Sequence, residues 1–137
     1  MHRWFFRAAA ALSGFGLLAH EFFGAPKVLG PLDSAGLPEP VVWLHHFSWH
    51  VGTIATATLS AMFFFASTTG GRRPLAVFAT AMSLGFAALG VGLALGPGSA
   101  LWETPAPYVW SLVTLLGSMG LWTSRERLRE AAREPAG

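Results

Sequence analysis

The sequence predicts an all-α integral membrane four-helix bundle, antiparallel, on three observations. Four apolar blocks are long enough to cross a bilayer, prolines and glycines mark the breaks between them, and the arginines gather on alternate connections. Composition sets the class. Of 137 residues, 53% are hydrophobic and 12% charged, with a mean hydropathy of +0.48, whereas a soluble domain is about a quarter charged. Such a balance belongs to a chain solvated mainly by lipid. Cysteine is absent, which excludes disulfides, thiolate metal sites and thiol nucleophiles. The net charge of +2 does not point to nucleic acid, because the arginines follow membrane topology and not one basic, aromatic-rich surface.

Taken in order, the first block runs from about Trp4 to Phe23, with Arg7 near its start. The second runs from about Val41 to Ser67 and holds no formal charge besides its histidines. The third, Leu75 to Gly96, has no ionisable residue, and neither has the fourth, Pro105 to Thr123. Roughly 20 residues of helix cross the hydrocarbon, about twice the length of a barrel strand, and no block alternates with period two. Helices are therefore expected, in one domain spanning residues 1–137.

Punctuation sets the limits. Gly24 to Pro40 holds Pro26, Pro31, Pro38 and Pro40, which predicts an ordered, non-helical cap, with Pro40 opening the second span. Gly70-Gly71-Arg72-Arg73-Pro74 predicts a tight turn, Gly96-Pro97-Gly98 ends the third span, and Pro105 and Pro107 bracket the start of the fourth.

Orientation follows from the basic residues. Arg3, Arg7, Arg72, Arg73, Arg125, Arg127, Arg129 and Arg133 fall on one side and only Lys27 on the other. This bias predicts both termini in the cytoplasm of a bacterial inner membrane. The first block is expected to be a retained span, since no small-x-small cleavage site precedes His20 and Glu21.

Four of the five histidines, His20, His45, His46 and His50, lie within this pair of helix ends. His20 and Glu21 close the first span, and the other three open the second, so the topology brings them to similar depth. Ionisable groups at membrane depth are a functional hypothesis by default. His46 and His50 are four apart and share a face with Thr53, Ala57 and Ser60, while His45 points about 100° away, towards the side of Trp49 and Gly52. The small-residue line Ser13, Gly16, His20 and Gly24 is its counterpart on the first span.

Several chemistries fit this pattern. His20, His46 and His50 could ligate copper, iron or zinc, with Glu21, His45 and Glu103 as orienting partners or alternative ligands and redox chemistry as the outcome. His20 with His46 or His50 could instead be axial ligands of haem b. A third reading is metal-free acid–base chemistry on a lipid or quinone. In the last, the histidines are structural, sharing an interfacial belt with Trp43, Trp49, Trp102, Tyr108 and Trp110, and the chain is an accessory or assembly subunit. Whether the protein is an enzyme stays open at this point.

The remaining features read as architecture. Ala81, Gly85, Ala88, Gly92 and Gly96 form a small-residue face on the third span, expected to pack within the chain, in a homo-oligomer or in a larger membrane complex. Gly117 and Gly120 read the same way in the fourth. The charged tail from Ser124 is expected to prolong the fourth helix, with Glu126–Arg129 and Glu130–Arg133 at helical spacing.

Two stretches carry a family resemblance. Leu18-Ala-His-Glu-Phe-Phe-Gly-Ala-Pro-Lys-Val-Leu-Gly-Pro-Leu and Trp43-Leu-His-His-Phe-Ser-Trp-His-Val-Gly-Thr-Ile resemble small bacterial four-span membrane proteins of uncharacterised function. The matching positions are His20, Gly24, Pro31, Leu32, Trp49, His50 and Thr53, all in the first half of the chain. Ser48 stands where such proteins often have cysteine. The resemblance implies a fold and brings no reaction with it.

Overall fold

Residues 2–68 and 73–131 are described by a computed structural model, and among them the chain is helical throughout, without a strand. The elements are α1 (His2–Ala19), α2 (Ala25–Asp33), α3 (Glu39–Thr68), α4 (Arg73–Leu95) and α5 (Ala106–Ala131). A π-helical turn, His20–Gly24, joins α1 to α2, and a 3₁₀ turn, Ser99–Glu103, precedes α5. Arg3–Asp33, Glu39–Thr68 and Arg73–Leu95 are each long and apolar enough to cross a membrane. Among the described residues α5 does not join them. It contains the fourth predicted block, but Tyr108, Trp110, Trp122 and several small polar residues dilute its aliphatic content.

The first connection departs most from the sequence reading. In place of a non-helical cap over Gly24 to Pro40, α2 carries the helix on to Asp33. Pro26 falls in the first turn of α2, where a missing N–H is best tolerated. The turn before it has widened, so that the Ala25 N–H bonds the His20 carbonyl five residues back. Pro31 stands inside α2 on an exposed surface. The helix ends where the Ser34 hydroxyl donates to the Pro31 carbonyl and Gly36 adopts φ +67°, a backbone that favours glycine. Further on, the Pro38 carbonyl accepts the Val41 and Val42 N–H groups, and Pro40 sits in the first turn of α3 as expected.

The other breaks follow the sequence closely. Gly96 and Gly98 both donate to the Leu93 carbonyl, ending α4. Arg73 and Pro74 open α4, while Gly70 to Arg72 of the predicted turn lie outside the described residues. So does Arg133 in the tail; Glu126 accepts the Trp122 indole N–H at 2.7 Å.

α1 packs on α3 and α5, and α4 packs on α5 and α3, closing a ring of four helices. Its interior combines Phe6, Leu59, Phe63 and Val113 with small and hydroxylated residues. Ser13, Thr56, Ser67, Thr80 and Ser83 are all buried, and Ser13, Thr80 and Ser67 bond carbonyls one turn back in their own helices. Ser60 crosses from α3 to the Ala10 carbonyl at 2.9 Å, and Thr114 crosses from α5 to Ser83 at 3.2 Å. Bulky residues such as Phe15, Phe22, Ile54, Phe78 and Leu89 face outward. Small and hydroxylated residues at the helix contacts, with many large apolar side chains outward, is a distribution suited to helices packing in hydrocarbon.

Close approach is real at Gly117 and Gly120. A Cβ on Gly117 would stand 2.5 Å from the Thr80 hydroxyl, and one on Gly120 would overlap the Phe6 ring. By contrast, Ala81, Gly85, Ala88, Gly92 and Gly96 lie on the exposed side of α4, and a Cβ on Gly85 or Gly92 meets nothing within 4 Å. The face of α4 that packs within the chain is Ala76, Ala79, Thr80, Ser83, Ala87 and Ala94.

Candidate functional site

Where α1 passes α3, the widened turn decides which side chains meet. A π turn adds a residue to the helical repeat and is frequent at functional sites. Here it presents His20, Glu21 and Gly24 together to α3. The His20 ring lies flat on Trp49, with centroids 3.9 Å apart and planes 8° from parallel. Gly24 leaves room for the same indole, since a Cβ there would approach Trp49 Cζ2 to 3.1 Å. The Glu21 carboxylate accepts a hydrogen bond from the Thr53 hydroxyl and lies 3.8 Å from His50 Nδ1.

This group is polar and partly open. The Glu21 side chain is 29% exposed and that of His50 56%. His50 makes no hydrogen bond through Nε2 among the described residues, so that nitrogen is free on the outer side of the pair. Two further nitrogens, His20 Nε2 and Trp49 Nε1, are shielded from solvent and have no hydrogen-bond partner. Buried polar atoms are nearly always bonded, so these two mark the end of the bundle where burial is least complete in its satisfaction.

The other predicted residues go elsewhere. His46 Nε2 is 2.7 Å from Asp33 Oδ1, at the end of α2, and its ring is 5.3 Å from Trp43. His45 is exposed and its Nδ1 bonds the Val41 carbonyl at 2.8 Å, one turn back in its own helix. Glu103 closes the 3₁₀ turn, which packs on α4 and α5. His20, His46 and His50 thus do not converge on one point. Among the described residues no group of three or more histidine, aspartate or glutamate side chains is placed to hold a metal ion. The histidine–carboxylate contacts among these residues are two separate pairs, His46–Asp33 at 2.7 Å and His50–Glu21 at 3.8 Å.

Asp33 and the π turn escaped the sequence reading. The prolines around Asp33 point to a loop, whereas helical spacing through Val28, Leu29 and Leu32 reaches it and places it one element away from His46. With the fold and the site in place, the class is a small helical protein with three helices of membrane-crossing length and a histidine–carboxylate pair between two of them. No family model, curated protein or solved structure matches the chain, and nothing in these comparisons bears on the resemblance to small bacterial four-span proteins.

Proposed function

We propose that the chain is an inner-membrane protein of four antiparallel spans, both termini cytoplasmic, whose Glu21–His50 pair exchanges a proton with a bound ligand. The antiparallel arrangement is supported by the contacts Ser60–Ala10, Thr53–Glu21 and Trp49–Gly24, in which residue numbers rise on one helix as they fall on the other. The fourth span is supported by the outward Leu112, Leu115 and Met119 of α5. The orientation rests on the arginine bias.

One observation carries the functional reading: a carboxylate facing Nδ1 of an imidazole whose Nε2 is free. A carboxylate on one ring nitrogen favours the tautomer with its proton there and leaves the other nitrogen as base. His50 then takes a proton from a ligand hydroxyl through Nε2, and Glu21 stabilises the imidazolium that forms. Thr53 holds the carboxylate in place. The Glu21 and His50 atoms need a side-chain adjustment of under an ångström to close from 3.8 Å to a hydrogen bond, a tightening common when ligand binds.

The test is ¹⁵N spectroscopy of imidazole-labelled protein, beside elemental analysis and an absorption spectrum. His50 should show its proton on Nδ1, and Glu21→Gln should abolish that preference. A mixed tautomer in the unaltered protein would sink the reading. Stoichiometric copper, iron or zinc, or a Soret band, would assign the site to metal or haem instead.

A further inference from the structure

Resting on that acid–base reading, we infer that the Glu21–His50 pair serves an uncharged amphiphile with a hydroxyl head, reaching it sideways between α1 and α3. A quinol-type ring on an apolar tail is the form that suits its surroundings. Position is the first argument. His50 is more than half exposed, and around the pair the outward surface consists of Leu18 on α1 and Phe22 in the π turn with Phe47 and Ile54 on α3, every one exposed. Phe47 and Ile54 lie three before and four after His50, on its own helix face. A ligand arriving there meets one polar spot ringed by large apolar side chains. That environment matches a small polar head on an apolar body, and it excludes a freely water-soluble substrate, which would have nothing to gain from the ring.

Charge narrows the head group. Around this end of the bundle stand Glu21, Asp33, Glu39 and Glu103, with Lys27 as the single basic residue. A phosphate head would approach carboxylates with no arginine to receive it, whereas phosphate sites are built from arginine, lysine or helix N-termini. An uncharged head carries no such penalty. Chemistry then selects a hydroxyl. Neutral His50 accepts an O–H through Nε2. After the proton has moved, the imidazolium returns an N–H to the same oxygen, and its second N–H faces Glu21. The exchange is a proton transfer alone, balanced between ligand oxygen and His50, and involves no electron transfer. His46 plays no part, because Asp33 already occupies its Nε2.

Binding to the full chain in detergent micelles tests this with three probes: decylhydroquinone, dioctanoylglycerol and dioctanoyl-phosphatidylglycerol. Decylhydroquinone should bind saturably, one per chain, and the anionic lipid should not. His50→Leu and Glu21→Gln should each weaken binding about tenfold, the equivalent of one charge-assisted hydrogen bond. His46→Leu should leave it unchanged. Saturable binding of dioctanoylglycerol in place of the hydroquinone keeps the inference and makes a lipid alcohol the source. The inference is overturned if neither uncharged probe saturates, if the anionic lipid binds equally well, or if His50→Leu binds as the parent does. The ¹⁵N spectrum of the same samples separates the two claims: an intact Nδ1–H preference without binding removes this inference only. A mixed tautomer removes the acid–base reading, while saturable, His50-dependent binding of the uncharged probe would still establish the ligand class.

Discussion

The two ends of the bundle are built on opposite terms. At one end Phe6, Leu59, Phe63 and Val113 fill the interior, Phe6 and Phe63 stack with centroids 6.4 Å apart, and Gly117 and Gly120 let the helices close on them. Ser13 and Thr80 return their hydroxyls to their own helices, and Ser60 crosses from α3 to the Ala10 carbonyl. At the other end, His20, Glu21, Trp49 and His50 stand between α1 and α3, and two shielded nitrogens have no partner. The best-buried apolar side chains thus lie at one end, and the histidine–carboxylate pair lies at the other, partly exposed. A site that needs side chains to adjust by fractions of an ångström is served by that separation, since functional elements are drawn from the less stable parts of a fold.

The largest expected effect tests the packed end. Gly120→Val should prevent folding or destabilise by about 3 kcal/mol or more, because the added carbons overlap the Phe6 ring and overpacking of this kind forces backbone shifts. Thermal unfolding in micelles, followed by far-ultraviolet circular dichroism, measures it. Gly85→Leu is the matched control, a larger side chain at a glycine with open space around it. The monomer should change by no more than about 0.5 kcal/mol. If Gly85→Leu instead dissociates a complex seen by light scattering, the outward face of α4 is the partner surface that the Gly85 and Gly92 stripe suggested.

That pair of glycines shows how far the sequence could be read. Four apolar blocks, their breaks at Pro40, Pro74 and Gly96, and the close approach at Gly117 and Gly120 were all legible, because length and small residues report them directly. On α4 two small-residue faces run at helical spacing, one through Gly85 and Gly92 and one through Ala76, Thr80, Ser83 and Ala87. Only the neighbouring helices decide between them: the second packs within the chain, and the first lies outward, which removes the within-chain option for it and leaves packing against another subunit. The site was half legible. His20, Glu21 and His50 were singled out and the structure brings them to one interface. His46 shares a face with His50, but lies one turn away, about 6 Å along the axis, and at that height its neighbour is Asp33. The π turn left no pattern to find, since it arises where Pro26 lacks an N–H, and only the hydrogen-bond ladder records that.

A middle-sized effect tests the polar end. His20→Phe should stabilise the protein by about 1–3 kcal/mol, the penalty usually attached to an unsatisfied buried polar group. Phenylalanine keeps a flat ring against Trp49 and removes Nε2, which has no partner. A rise in Tm together with unchanged ligand binding would show that His20 only supports the site. A rise in Tm with loss of binding would give it a direct role and sharpen the contrast between the ends, since function would then be held at the expense of stability. A fall in Tm would mean that Nε2 is bonded in the native membrane state.

The smallest effect concerns Asp33→Ala, at the tip of the polar end. The bond from His46 is short at 2.7 Å, but Asp33 is 56% exposed and the pair joins the ends of two segments near solvent. Exposed pairs of this kind contribute roughly 0.2–1 kcal/mol, so global Tm should move little. The local consequence should be larger. α2 buries only Leu29, its Pro31 has already given up one backbone hydrogen bond, and it is held to α3 chiefly near the π turn and at Asp33. Removing the carboxylate should speed amide exchange from Val28 to Ser34 several-fold while leaving α4 and α5 unchanged. Exchange that rises equally throughout the chain would show that α2 unfolds only with the whole bundle. The looseness of the polar end would then be confined to its side chains.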